Sequence, residues 1–141
     1  MIVVHGTNPK KTINWVVASG ADIYKGELLY DNSGAVAVAA QTSQAVTGIL
    51  GVALEDAKKS TKCSIESING AVMEIDYKSG TTKTSFADTD LGTTYDVYVS
   101  SHKFYINLDD TTGGCLVLVG YDNDAKKAYV TIPTTSLKLA L

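Results

Sequence analysis

Residues 48–71 read Gly48-Ile49-Leu50-Gly51-Val52-Ala53-Leu54-Glu55-Asp56-Ala57-Lys58-Lys59-Ser60-Thr61-Lys62-Cys63-Ser64-Ile65-Glu66-Ser67-Ile68-Asn69-Gly70-Ala71. A short apolar run, a polar stretch and an alternating segment that ends on Asn-Gly form the pattern of two strands separated by turn residues. Nothing in the stretch reads as a reactive site. Asn69-Gly70 is the strongest hairpin signal in the chain, because both residues tolerate positive φ. A strict two-residue loop would oppose Ile65 to Glu74 and mix apolar with polar on each face. One extra loop residue instead opposes Ile65 to Ile75 and Cys63 to Tyr77, with Met73 on the same buried face, so the expectation is a hairpin of residues 63–77 with a three-residue or bulged turn. That register sets Glu66 against Glu74, an unfavourable pair unless a lysine or a partner protein lies close.

The same punctuation continues in both directions. Only two prolines occur, while glycines and Asn/Asp/Ser/Thr clusters interrupt apolar runs at short intervals, and no window of ten residues carries a helical stripe. Strand candidates are 13–18, 23–30 around Lys25-Gly26-Glu27, the Val/Ala alternation of 35–40, 49–54, 95–99, 103–108, 115–121 and 128–132. Gln41–Val46 suits one helical turn. The unbroken apolar run Cys115–Val119 suits a strand covered on both faces. Residues 78–94 make a long polar connection around a lone Phe86, a length usually found in functional or mobile loops. The first dozen residues read as an arm, residues 1–12, ahead of one β domain, residues 13–141. Leu137, Leu139 and Leu141 alternate at the end like a strand in need of a surface.

At 141 residues the chain has the length of one ordinary domain and can bury about 68–70% of its unfolded surface, enough to need neither metal nor disulfide. All twelve basic residues are lysine and the net charge is −3. Without arginine forks or a long basic run, nucleic acid is a poor partner. No membrane span is expected, and the N-terminal stretch has no secretory pattern. Cys63 and Cys115 lie far apart, with no Cys-x-x-Cys and no histidine at ligand spacing, so both read as small apolar strand residues, with a single bridge as the alternative.

The chemistry-bearing residues point away from catalysis. His5 and His102 are the only histidines, and each reads as a surface residue. Asp122-Asn123-Asp124 and Asp88-Thr89-Asp90 open like calcium loops, yet the twelfth position, where a bidentate Glu belongs, is Pro133 in one and Val99 in the other. With Asp109-Asp110, they read as turns. No phosphate-cradling glycine loop is present. The expectation is a protein that is not an enzyme and has no metal or cofactor, whose eight tyrosines are mostly core or sheet-face residues.

The segment Ala18-Ser19-Gly20-Ala21-Asp22-Ile23-Tyr24-Lys25-Gly26-Glu27-Leu28-Leu29-Tyr30, followed by the alanine-rich strand and the Gly-Val-Ala strand, resembles the core of bacteriophage head-decoration (capsid cement) proteins over about residues 15–76. A weaker echo lies in Leu91-Gly-Thr-Thr-Tyr-Asp and Leu108–Asp122. The loop Asp56–Thr61 departs from the pattern, since related sequences often carry a glycine there. The resemblance implies a small β-barrel or β-tulip-like domain with an extended N-terminal arm. It also implies assembly, often as a trimer, on the outside of a mature icosahedral head at symmetry positions, in a virion made in the host cytoplasm. The partners would be the major capsid protein and further copies of the chain. Ile2, Val3 and Val4 are the candidate strand-adding contacts, and Leu137, Leu139 and Leu141 the candidate oligomer seam. The competing reading is another virion β module: a head-fibre base, a tail-tube domain or a glycan-binding adhesion domain.

Overall fold

A computed structural model describes residues 1–5, 12–17, 20, 22–38, 48–112 and 114–138. Among these, the chain is nearly all β. The strands are β1 (Ile2–His5), β2 (Thr12–Val16), β3 (Leu28–Asn32), β4 (Ala35–Val38), β5 (Ile49–Ala53), β6 (Lys62–Glu66), β7 (Val72–Lys78), β8 (Thr94–Tyr95), β9 (Tyr98–Ser100), β10 (Lys103–Asn107), β11 (Leu116–Asp122) and β12 (Lys127–Thr131). Single 3-10 turns occur at Asp88–Asp90 and Thr134–Ser136. The helical turn expected at Gln41–Val46 lies outside the described residues.

The strands form two sheets and no closed barrel. The larger runs β8-β11-β12-β7-β10-β9, with β1 also paired to β7; the smaller runs β2-β6-β5-β3-β4. Trp15 on β2 donates its indole N–H to Gly34 O in the β3–β4 turn at 3.0 Å, which draws the outer strands of the smaller sheet toward each other. The all-β expectation holds, whereas the barrel gives way to an open two-sheet arrangement.

Each sheet follows from its side-chain alternation. On β7, Met73, Ile75 and Tyr77 are buried while Glu74, Asp76 and Lys78 face outward. Val130 and Ala128 of β12, Ile106 of β10 and Leu118 of β11 join them in the main core, which Leu28, Ile49 and Val52 of the smaller sheet close from the other side. The opposite face of the smaller sheet makes a second core of Leu29, Leu50, Ala53, Cys63 and Ile65 with Ile23 and Val17. Strand β5 is thus buried on both faces along its whole length. Its neighbour β6 crowds it: a Cβ on Gly51, whose φ is +153°, would stand 2.0 Å from Glu66 O.

Three expectations change here. The Asn69-Gly70 turn is real, with Gly70 at φ +73° and Ala71 N–H donating to Ile68 O at 3.0 Å, but it is no hairpin. It hands the chain from β6 in the smaller sheet to β7 in the larger one. Ile65 pairs with Ile13 and Ala53, and Glu66 with Thr12 and Val52, while Glu74 sits across from Ile2 and Tyr129, so the feared Glu66–Glu74 opposition does not arise. Both segments bury the face their alternation predicts, Cys63 and Ile65 in one core and Met73, Ile75 and Tyr77 in the other. Second, the doubly covered strand is β5 rather than Cys115–Val119. β11 lies beside the short edge strand β8 with its outer face bare, and Val119 is 46% exposed. Third, residues 2–5 of the expected arm are a strand of the chain's own larger sheet, with Ile2 opposite Glu74 and Val3 opposite Met73.

The 78–94 connection is held, not idle. Phe86 is buried at 4% exposure, edge-on to Tyr77 and Tyr95. Asn123 accepts from Phe86 N–H at 3.0 Å and Tyr77 OH at 2.8 Å and donates to Phe86 O at 2.9 Å. The Asp109 carboxylate accepts from the backbone N–H groups of Thr81, Thr82 and Lys83, and these bonds hold its proton affinity down to a pKa of about 2, Lys83 N–H contributing most.

Candidate functional site

The described residues hold no group of three or more His, Cys, Asp or Glu side chains able to grip a metal. The acidic triplets are spent on turns. Asp122 accepts from the N–H groups of Asp124 and Ala125, each at 3.0 Å; Asp88 accepts from Tyr121 OH at 2.7 Å; Asp90 accepts from Ala87 N–H and Lys83 Nζ. Cys63 and Cys115 are free, buried thiols in different cores, and burial pushes the Cys115 thiol up to about 12.

The candidate contact residues at the two ends attach to different sheets. Ile2, Val3 and Val4 lie on β1, which among the described residues pairs with β7 alone. Its other edge has no strand partner among the described residues. Leu137 makes a parallel bridge to Ile49 and packs partly buried against the main core, and the next residue secures it: Lys138 N–H donates to Ile49 O at 2.8 Å and Lys138 Nζ pairs with Asp31 at 3.0 Å. Leu139 and Leu141 lie outside the described residues.

One constellation escaped the sequence reading. Glu27, at the mouth of β3, is 1% exposed, a costly place for a carboxylate unless its oxygens are bonded. Oε2 accepts from Tyr24 N–H at 2.9 Å, and Oε1 accepts from Nδ1 of His102 at 2.9 Å. The imidazole lies against the Tyr24 ring, centroids 4.1 Å apart and tilted 44°. His102 belongs to the larger sheet's β9–β10 hairpin and Glu27 to the smaller sheet, so the contact clasps the two together. The hairpin loop is only Ser101-His102, at φ +49° and +64°. Two left-handed residues are what a type I′ turn requires, and Asn-Gly rather than Ser-His is its usual filling. Strain of this kind persists where surrounding contacts hold it, and here Glu27 and Tyr24 do so. The only local signals were a carboxylate directly before the apolar Leu28-Leu29 and a histidine beside a turn; their partnership spans 75 positions.

Beside the clasp, Asp22, Ile23, Tyr24, Asp56, Ala57 and Lys58 line a hollow. Ile23 and Ala57 exchange backbone hydrogen bonds at 2.8 and 2.9 Å and form its floor. Its two carboxylates are pinned by main chain: Asp22 accepts from Lys59 N–H at 3.0 Å, Asp56 from Lys25 N–H at 2.8 Å. The Lys59 bond is the main cause that lowers the Asp22 pKa below its ordinary value.

No protein-family model matches the chain, and no curated protein does. Among solved structures, the N base of head fibre gp8.5 of bacteriophage phi29 is similar in fold, with a TM-score of 0.51 over 90% of this chain and 98% of that one, at 13% identity. At that identity the likeness is one of fold.

Proposed function

We propose that this protein is a structural component of a phage virion, a decoration protein that binds the outside of the mature icosahedral head and stabilises it against internal DNA pressure. The observation that carries the reading is the fold shared over nine-tenths of the chain with a phage head-fibre base. The Gly- and Ala-rich strand pattern of residues 15–76, similar to capsid cement proteins, supports it independently. The edge of β1 that has no strand partner among the described residues is where a strand of the major capsid protein, or of a second copy, would add, in the β-augmentation mode. Trimeric assembly at symmetry positions multiplies several weak contacts into stable occupancy.

A second reading, the base of a head fibre, is favoured by that same fold likeness. Electron microscopy of capsids mixed with the purified protein separates the two. Compact density on capsomer symmetry axes, with nothing protruding, supports decoration. Density that seats only where a longer fibre continues outward supports the fibre base, and a bare shell refutes both.

A further inference from the structure

We propose that the hollow beside Tyr24 binds one ring of a neutral saccharide, an activity separate from the capsid reading. An exposed ring and its brace meet there. Tyr24 is 41% exposed, with its ring braced by His102 and bordering the hollow, and an exposed aromatic ring held in place is a platform for the apolar face of a sugar. The brace is built at some expense: a carboxylate with 1% exposure and a hairpin loop with two left-handed non-glycine residues both serve to hold the Tyr24–His102 pair. Preorganisation of this kind strengthens binding by reducing what must be ordered on contact.

The polar groups select the ligand class. Asp56 accepts from Lys25 N–H on one oxygen and Asp22 from Lys59 N–H and, at 3.4 Å, Lys58 Nζ; a carboxylate has about four lone-pair sites, so both keep acceptor capacity that suits hydroxyl donors. An anion is disfavoured by the two carboxylates. A cation would have to displace Lys58 Nζ, 3.4 Å from Asp22, to engage both carboxylates. A purely apolar ligand would strip water from both carboxylates without replacing it. A neutral ring bearing several hydroxyls satisfies the aromatic face and the acceptors together.

The test is ligand-observed saturation-transfer NMR on the full chain, with glucose, galactose, mannose, N-acetylglucosamine and their disaccharides as probes. At least one probe is expected to bind, with Tyr24→Ala weakening it about tenfold, the scale of losing one aromatic platform. Tyr24→Phe should retain binding and Asp56→Asn should weaken it. Tyr24 is exposed, so Tyr24→Ala is expected to fold, which its circular dichroism checks; Asp56→Asn provides a second, isosteric probe of the same hollow. The proposal is overturned if no probe binds, or if binding survives both Tyr24→Ala and Asp56→Asn. Capsid binding by Tyr24→Ala is read separately, so failure of the sugar site and failure of the decoration reading remain distinguishable.

Discussion

Replacing Gly51 by alanine should destabilise the protein by about 5 kcal/mol, and the figure can be built from the β5–β6 contact. An added Cβ would stand 2.0 Å from Glu66 O and 2.9 Å from Ile65 Cγ2. Ordinary van der Waals contact requires more than 3 Å, so β6 must retreat by over an ångström from a strand it meets at Val52–Glu66 and Ala53–Ile65. A shift of that size breaks or bends about two ladder hydrogen bonds, at roughly 1 kcal/mol each. It also opens the second core around Leu50, Ala53 and Ile65, and overpacking of this kind costs about 1–3 kcal/mol. The φ of +153° adds about 1 kcal/mol of backbone strain for any L side chain. Gly92→Ala is the control: its φ is +85° and nothing lies within 4 Å of the new methyl, so it carries the strain alone, about 1 kcal/mol. Urea unfolding of both variants against the parent measures the difference. If Gly51→Ala falls within about 1 kcal/mol of Gly92→Ala, β6 does not pack on β5 as described, and the reasoning fails.

Three further outcomes follow from buried or bonded polar groups. Asp96 is 1% exposed, and its pKa is raised first by desolvation and further by Asp110, against the pull of Val97 N–H. An acid with a raised folded value favours folding below its ordinary 3.8 and loses that advantage as pH rises through the folded value. Asp96→Asn, which keeps an acceptor for Val97 N–H, should therefore stabilise the protein more at neutral pH than near pH 3, read by urea unfolding at both; equal effects at both would contradict this. Asp109 has the opposite sign: its folded value is held down to about 2, so its contribution is present above 3.8 and fades as pH falls through about 2. Asp109→Asn should speed amide exchange at Thr81, Thr82 and Lys83 at neutral pH, and unchanged exchange would mean the carboxylate does not hold the loop. Asn123→Ala leaves Phe86 N–H and O and the Tyr77 hydroxyl without their partner and should lower stability by about 2 kcal/mol in urea titrations; a loss below about 0.5 kcal/mol would contradict it.

Strand existence was legible in the sequence; strand partnership was not. The alternation of β7 and the apolar run of β5 appear as local periodicities because each residue's face is set by its immediate neighbours. Which sheet a strand joins depends on contacts tens of residues away. Cys63–Ile65 and Met73–Tyr77 display the same alternation whether they pair with each other or, as here, with β2 and β5 on one side and β12 and β10 on the other. A turn residue such as Gly70 reports a change of direction without reporting where the chain goes next. Likewise Cys115–Val119 and Ile49–Ala53 are equally apolar runs, and only the position of β11 beside short β8 leaves Val119 in solvent. The Tyr24–Glu27–His102 clasp was invisible for a related reason. Its members sit in two segments with no shared motif, and the histidine's value lies in a buried carboxylate that the topology delivers.

The central claim, a head-binding structural protein, is tested most directly by co-sedimentation of the purified full chain with mature, expanded phage capsids and with immature ones. Saturable binding to the expanded shell at a fixed ratio to the major capsid protein, and little to the immature shell, is the predicted result. Absence of binding to either shell would contradict the account and move the protein to another part of the virion or away from it altogether.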